Sequence, residues 1–274
     1  MNTKRPTLPA IFLGLLIPGA GHWYAGAAAA GMLWFAIITI LTFTGYSLAG
    51  PAFAALYQTQ MSPFGINITI PLAIPDAANF IESLIATKFY KNPHVDAPVP
   101  ASAPFGYILA AFGGVLNVIA VADAHYRCVH GAVPQGYKSP AAAALLAFLI
   151  PGGGHYYLGR RGKALIAGIA LTLTLVIGIV LAEGATIQRE RDQYFWSGQI
   201  LLGIPAAVAT VVNHGRRIQH EMPLAELGLL FTTVAGLLNV LMILDAYSTA
   251  ERDIVKSKET PEPATPAPAV TGAS

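Results

Sequence analysis

Read for polarity alone, the chain is a series of long apolar runs separated by short polar stretches. The first run is the longest: from Pro6 to Pro75 there is no Asp, Glu, Lys or Arg, and His22 is the only histidine in it. One membrane-spanning helix needs about 20 apolar residues, so this stretch exceeds a single span. The runs are continuous and rich in Ala, Leu, Ile and Gly, without the apolar–polar alternation of barrel strands. In hydrocarbon every backbone N–H and C=O must be bonded within the protein, which turns such runs into helices. The expected fold class is all-α, a polytopic helical membrane protein.

The pattern occurs twice. Pro18-Gly19-Ala20-Gly21-His22-Trp23-Tyr24-Ala25-Gly26 is answered by Pro151-Gly152-Gly153-Gly154-His155-Tyr156-Tyr157-Leu158-Gly159, with Pro, two Gly, His, Tyr and the last Gly identical and an aromatic exchange at Trp23. Downstream, Gly114-Val115-Leu116-Asn117 with Asp123-Ala124 is answered by Gly236-Leu237-Leu238-Asn239 with Asp245-Ala246. Ile74-Pro75 and Ile204-Pro205 fall between these anchors in the same order. Ordered self-similarity of this kind predicts two copies of one unit, residues 1–136 and 137–255, of four helical segments each. The short segments are Leu8–Ile17 and Pro140–Ile150, each expected to be re-entrant, interfacial or one short arm of a helical hairpin. Spanning segments follow at Ala27–Ala49 and Lys163–Ala182. A third pair covers Pro75–Tyr90 and Gly198–Asn213, and the last pair, Phe105–Arg127 and Leu224–Tyr247, is again long enough to span. Residues 256–274, rich in Pro, Ala and Thr, are expected to form a disordered tail.

The start of the chain has a competing reading as a signal peptide, with Lys4 and Arg5 before an apolar run. The same motif recurs in the interior, which favours a structural element. An even number of crossings per copy would keep both copies parallel and both termini cytoplasmic. The matching loop charges, Lys88 and Lys91 against Arg216 and Arg217, agree with parallel copies.

The motif is a helix break with a physical logic. Pro18 and Pro151 end the preceding helix by removing a donor. Gly19, Gly21, Gly26, Gly152, Gly154 and Gly159 allow positive φ and close backbone approach. His22 and His155 are placed to cap the amides so released, and Tyr24 and Tyr157 suit the headgroup level. Asn117 and Asn239 lie deeper and fit interhelical hydrogen bonding. Asp123 and Asp245 sit near the ends of their segments. Paired with His22 and His155, they would form proton-transfer or metal-binding sites. The favoured reading is structural, with each acid bonded to the broken-helix amides or facing water.

Composition narrows the choice of chemistry. Only 11% of residues are charged and 54% are apolar, and net charge is +2 without like-charge blocks, so no nucleic-acid partner is expected. Cys128 is the only cysteine, which excludes an intrachain disulfide, and a His with one distant Asp is too sparse for a metal site. No cofactor and no catalytic residue is expected.

Gly154-His155-Tyr156-Tyr157-Leu158-Gly159-Arg160 followed by Gly162, with Leu244-Asp245 downstream, resembles the TM-two domain, a family of small modules of two transmembrane helices. The first copy departs from it, with Ala25 for Leu and no Arg after Gly26. The resemblance implies a membrane module and no catalytic assignment. The leading expectation is a non-enzymatic scaffolding or partner-binding protein, with the lipid bilayer, a second copy or another membrane protein as partner. A small-solute or ion transporter or channel is the alternative, and an intramembrane enzyme comes third.

Overall fold

A computed structural model describes residues 5–49, 58–61, 68–71, 100–185, 187–189, 193–215 and 222–259. The expected segment Pro75–Tyr90, the anchor Ile74-Pro75, and Lys88, Lys91, Arg216 and Arg217 lie outside the described residues. The first repeat contains α1 (Thr7–Leu16), α2 (Ala20–Ala25) and α3 (Ala28–Ala49), a two-stranded antiparallel ribbon of β1 (Gln58–Met61) and β2 (Ile68–Pro71), and α4 (Ala103–His130). The second contains α5 (Pro140–Leu149), α6 (Gly153–Tyr157), α7 (Arg161–Leu181), α8 (Gln193–Gln199) with a 3-10 turn at Ile200–Leu202, α9 (Ile204–Asn213) and α10 (Ala225–Glu259).

The protein is a helical membrane protein. Among the described residues, four helices are long and apolar enough to cross a bilayer: α3, α4, α7 and α10. Their faces differ in burial. In the most apolar window of α4, 67% of positions are buried, against 22% in α3, 22% in α7 and 28% in α10. Thus α4 is the central post, and the other three turn broad apolar faces outward, as helices in lipid do.

Each repeat is built on a hairpin of two antiparallel spanning helices that cross at paired glycines. A Cβ on Gly45 would lie 2.6 Å from the Gly106 carbonyl oxygen, and one on Gly178 would lie 2.8 Å from that of Gly228. No side chain fits between these backbones, so van der Waals contact between the helices is made directly, the usual means of association where lipid removes the hydrophobic drive. The ribbon is an addition to the helical pattern that the sequence did not predict.

The repeats join along α4. Phe112 meets Phe148 edge-on with centroids 4.9 Å apart, amid Val115, Leu116, Ile119, Ala141 and Ala144. Tyr247 donates a hydrogen bond to the carbonyl of Ala122, 2.9 Å away. At the other end of the helices Arg189 is buried against two rings, 4.4 Å from the Tyr107 centroid and 5.5 Å from that of Trp196.

Three boundaries differ from expectation: the segment Gly198–Asn213 is broken at Gly203 between the 3-10 turn and α9, α4 runs on past Arg127 to His130, and α10 runs past Tyr247. Helix α10 continues to Glu259, so residues 256–259, expected in the tail, are helical; residues 260–274 lie outside the described residues. The acids are therefore not at helix ends. Asp123 lies about two turns before the end of α4, and Asp245 lies well inside α10.

Candidate functional site

The break in the first repeat is a short helix held between two glycines. Helix α1 ends at Leu16, Ile17 is extended, and Gly19 has φ 78°. A Cβ on Gly19 would also strike the Gly31 carbonyl oxygen at 2.1 Å, so both the turn and the close pass require glycine. Gly21 lies under the Ala10 carbonyl, where a Cβ would be 2.5 Å away, and Gly26, at φ 85°, ends α2.

This geometry drives His22 inward. The imidazole is 1% exposed, and its Nε2 is 2.9 Å from Asp123 Oδ2 on α4. Arg127, one turn further along α4, donates through Nε to the same oxygen at 2.8 Å. Asn117 donates through Nδ2 to the Gly14 carbonyl at 3.2 Å. In an unbroken helix that carbonyl would accept from residue 18, but Pro18 has no N–H. Before α1, Arg5 donates to the Tyr24 carbonyl and lies over the Tyr24 ring, 5.9 Å from its centroid.

The second repeat rebuilds the joint. Gly152 has φ 82°, and a Cβ there would lie 2.2 Å from the Ala164 carbonyl oxygen. Gly154 lies under the Ala143 carbonyl, and Gly159, at φ 82°, follows α6. His155 is fully buried with Nε2 3.1 Å from Asp245 Oδ2, although neither ring nitrogen makes a hydrogen bond. Burial, reinforced by the charge of Lys163, holds the His155 imidazole below its ordinary range, against the pull of Asp245. Asn239 donates to the carbonyls of Ala147, at 3.2 Å, and Leu201, at 3.0 Å. The Ala147 carbonyl faces the position of Pro151, as that of Gly14 faces Pro18. Lys138 covers the Tyr157 ring at 4.7 Å, and the Tyr157 hydroxyl accepts from the Ser139 amide at 3.4 Å.

One component changes origin between the copies. Asp123 is neutralised by Arg127 from its own helix, whereas Asp245 accepts from Lys163 of α7. The counterpart of Arg127 in the second copy is Thr249, and that of Lys163 in the first is Ala30. Both acids have a cation, supplied from non-equivalent positions.

The expected capping role of the histidines is not seen. Gly19 and Gly152 head α2 and α6 without any side-chain cap, and the imidazoles turn to the acids instead. The acids in turn bond side chains, not the broken-helix amides. Sequence reasoning missed Arg127, Lys163, Arg5 and Lys138; the i,i+4 spacing of Asp123 and Arg127 was the available signal for one of them. Among the described residues, no group of three or more His, Cys, Asp or Glu converges.

The two joints correspond to two copies of one known sequence family. The family of unknown function DUF6677 matches residues 9–135 and again residues 142–259. The chain belongs to the DUF6677 family. Each DUF6677 match contains a whole joint, from its proline to its aspartate, so the joint is internal to the family unit. No curated protein and no solved structure matches the chain.

Proposed function

We propose that this DUF6677 protein is a non-enzymatic membrane module, a scaffold or partner-binding protein whose paired acids and asparagines hold it together. The observation that carries this reading is that buried Asp123 and part-exposed Asp245 are each neutralised, by a cation on the acid's own helix in the first copy and on another helix in the second. A carboxylate kept for proton transfer would need to be free of a fixed cation, and neither acid is. Here Asp123 bonds both His22 and Arg127, and the asparagines serve the carbonyls next to the prolines. The likeness of the Gly-His-aromatic motif to the TM-two domain supports a module of paired spanning helices. Two hairpins of two spans keep both termini on one side, proposed to be cytoplasmic, and the outward faces of α3, α7 and α10 are available to lipid or to a second copy.

The test is substitution of Asp123 and Asp245 by Asn, with the purified protein followed in detergent and in liposomes. A structural role requires loss of thermal stability or of assembly. If both variants remain as stable as the parent while a proton or solute flux of the parent disappears, the scaffold reading is wrong and the transporter reading replaces it.

A further inference from the structure

In the second repeat an open groove of about 570 Å³ lies between the Pro151–Gly153 break and one face of α7. That is within the range of about 300–1,000 Å³ typical of small-molecule sites. Leu165 and Ile169 form its wall, Gly168 its floor, and Arg161 its charged rim. Leu165 and Ile169 are exposed, so the groove opens toward the surroundings of the bundle.

The same place in the first repeat is filled by the protein itself. Trp23 lies across Gly31, where a Cβ would run into the indole, and Phe35 packs on Trp23 with ring centroids 6.0 Å apart. In the second repeat Phe35 is replaced by Gly168, and the counterpart of Trp23, Tyr156, stands 65% exposed against 39% for Trp23. Ala28 is replaced by Arg161. Among the described residues Arg161 has no ion-pair or hydrogen-bond partner, while the adjacent Arg160 faces Asp253 at 3.9 Å. The internal plug is lost and an unpaired cation is gained at one place.

The geometry points to a binding site for an anionic phospholipid, with its phosphate on Arg161 and the start of one acyl chain in the groove that Phe35 and Trp23 fill in the first repeat. Guanidinium groups bind phosphate oxygens through paired N–H donors, and basic pockets between helices hold anionic headgroups. The apolar wall selects an amphiphile over a free ion. This site borders the second joint at Pro151–Gly153 but does not rest on the structural role of the His–Asp pairs.

The full-length protein in neutral detergent is titrated with phosphatidylglycerol, phosphatidylcholine or inorganic phosphate, and bound lipid and thermal unfolding are measured. Phosphatidylglycerol is expected to be retained and to raise the melting temperature. Phosphatidylcholine should bind about tenfold more weakly, and inorganic phosphate should have no effect. Arg161→Gln, at an exposed position, removes the preference between the two lipids, and Leu165→Trp, which refills the groove, weakens both about tenfold. If Leu165→Trp fails to fold, Arg161→Gln decides alone. Equal binding of the two lipids by the parent overturns the proposal, as does phosphatidylglycerol binding unchanged by Arg161→Gln. A shift with inorganic phosphate as large as that with phosphatidylglycerol, or loss of a co-purifying polypeptide but not of lipid in Leu165→Trp, overturns it as well.

Discussion

At the scale of single residues, a proline that ends a helix inside a membrane leaves a carbonyl without its donor, and this chain meets that need with an amide side chain from a neighbouring helix. Asn117 and Asn239 do this for Gly14 and Ala147. Replacing Asn117 by Ala is expected to cost about 1–2 kcal/mol, since a buried acceptor loses its partner. Asn239→Ala should cost more, because two carbonyls depend on it. Unfolding titrations in mixed micelles measure both, and equal stability of parent and variants would remove the asparagines from the account. His155 gives a pH prediction. Its folded imidazole is held below the unfolded range, so at intermediate pH the unfolded chain binds more protons. Stability is therefore complete above the unfolded value near about 6.5 and falls as pH drops. The melting temperature should decline between about pH 7.5 and about pH 5.5, and His155→Asn should flatten that decline. These residues were legible because type and order repeat in the two halves. Arg127 and Lys163 were not, because they break the repetition.

Among elements, the hairpins depend on backbones touching at Gly45–Gly106 and Gly178–Gly228. Valine at 45 or 178 would push the helices apart at a point where the obstacle is backbone and cannot swing aside. The expected loss is more than about 2 kcal/mol, read as reduced yield of folded protein and a lower melting temperature. Gly162 supplies the control. It lies in α7 with open space where a Cβ would point, so Gly162→Ala should stabilise by about 0.5–1 kcal/mol. The spanning helices could be read from the lengths of the apolar runs. The short helices α2 and α6 could not, since five or six residues give too little periodicity to show. The end of α10 was set too early because charge after Asp245 looks like a terminus, yet charge outside lipid does not stop a helix.

For the whole molecule, the two copies keep the same joint while drawing the cation from different helices, and this can be tested by exchange. Arg127→Ala leaves Asp123 buried with His22 alone, at a cost on the order of 3 kcal/mol. Adding Ala30→Lys places a basic side chain where the second copy has Lys163, and part of the lost stability should return. No recovery in thermal unfolding would mean that the copies are not interchangeable at this point. The duplication itself was plain in the sequence. The meeting of the copies along α4, and the packing of Arg189 against Tyr107 and Trp196, depend on contacts between unlike positions, which no repeat pattern encodes.

Helix α10 is 35 residues long, about 52 Å at about 1.5 Å per residue, against roughly 30 Å of hydrocarbon. Some 20 Å of it must therefore project into headgroups and water, and the side chains from Glu251 onward are suited to that. Such a rod works as a depth gauge. Moving it inward would drag Arg252, Asp253, Lys256 and Lys258 into oil, and moving it outward would bring Leu241 and Leu244 into water and draw Glu226 into oil. Because Asp245 on this rod holds Lys163 of α7, the height at which α7 rides in the bilayer is set by a partner that reaches beyond it.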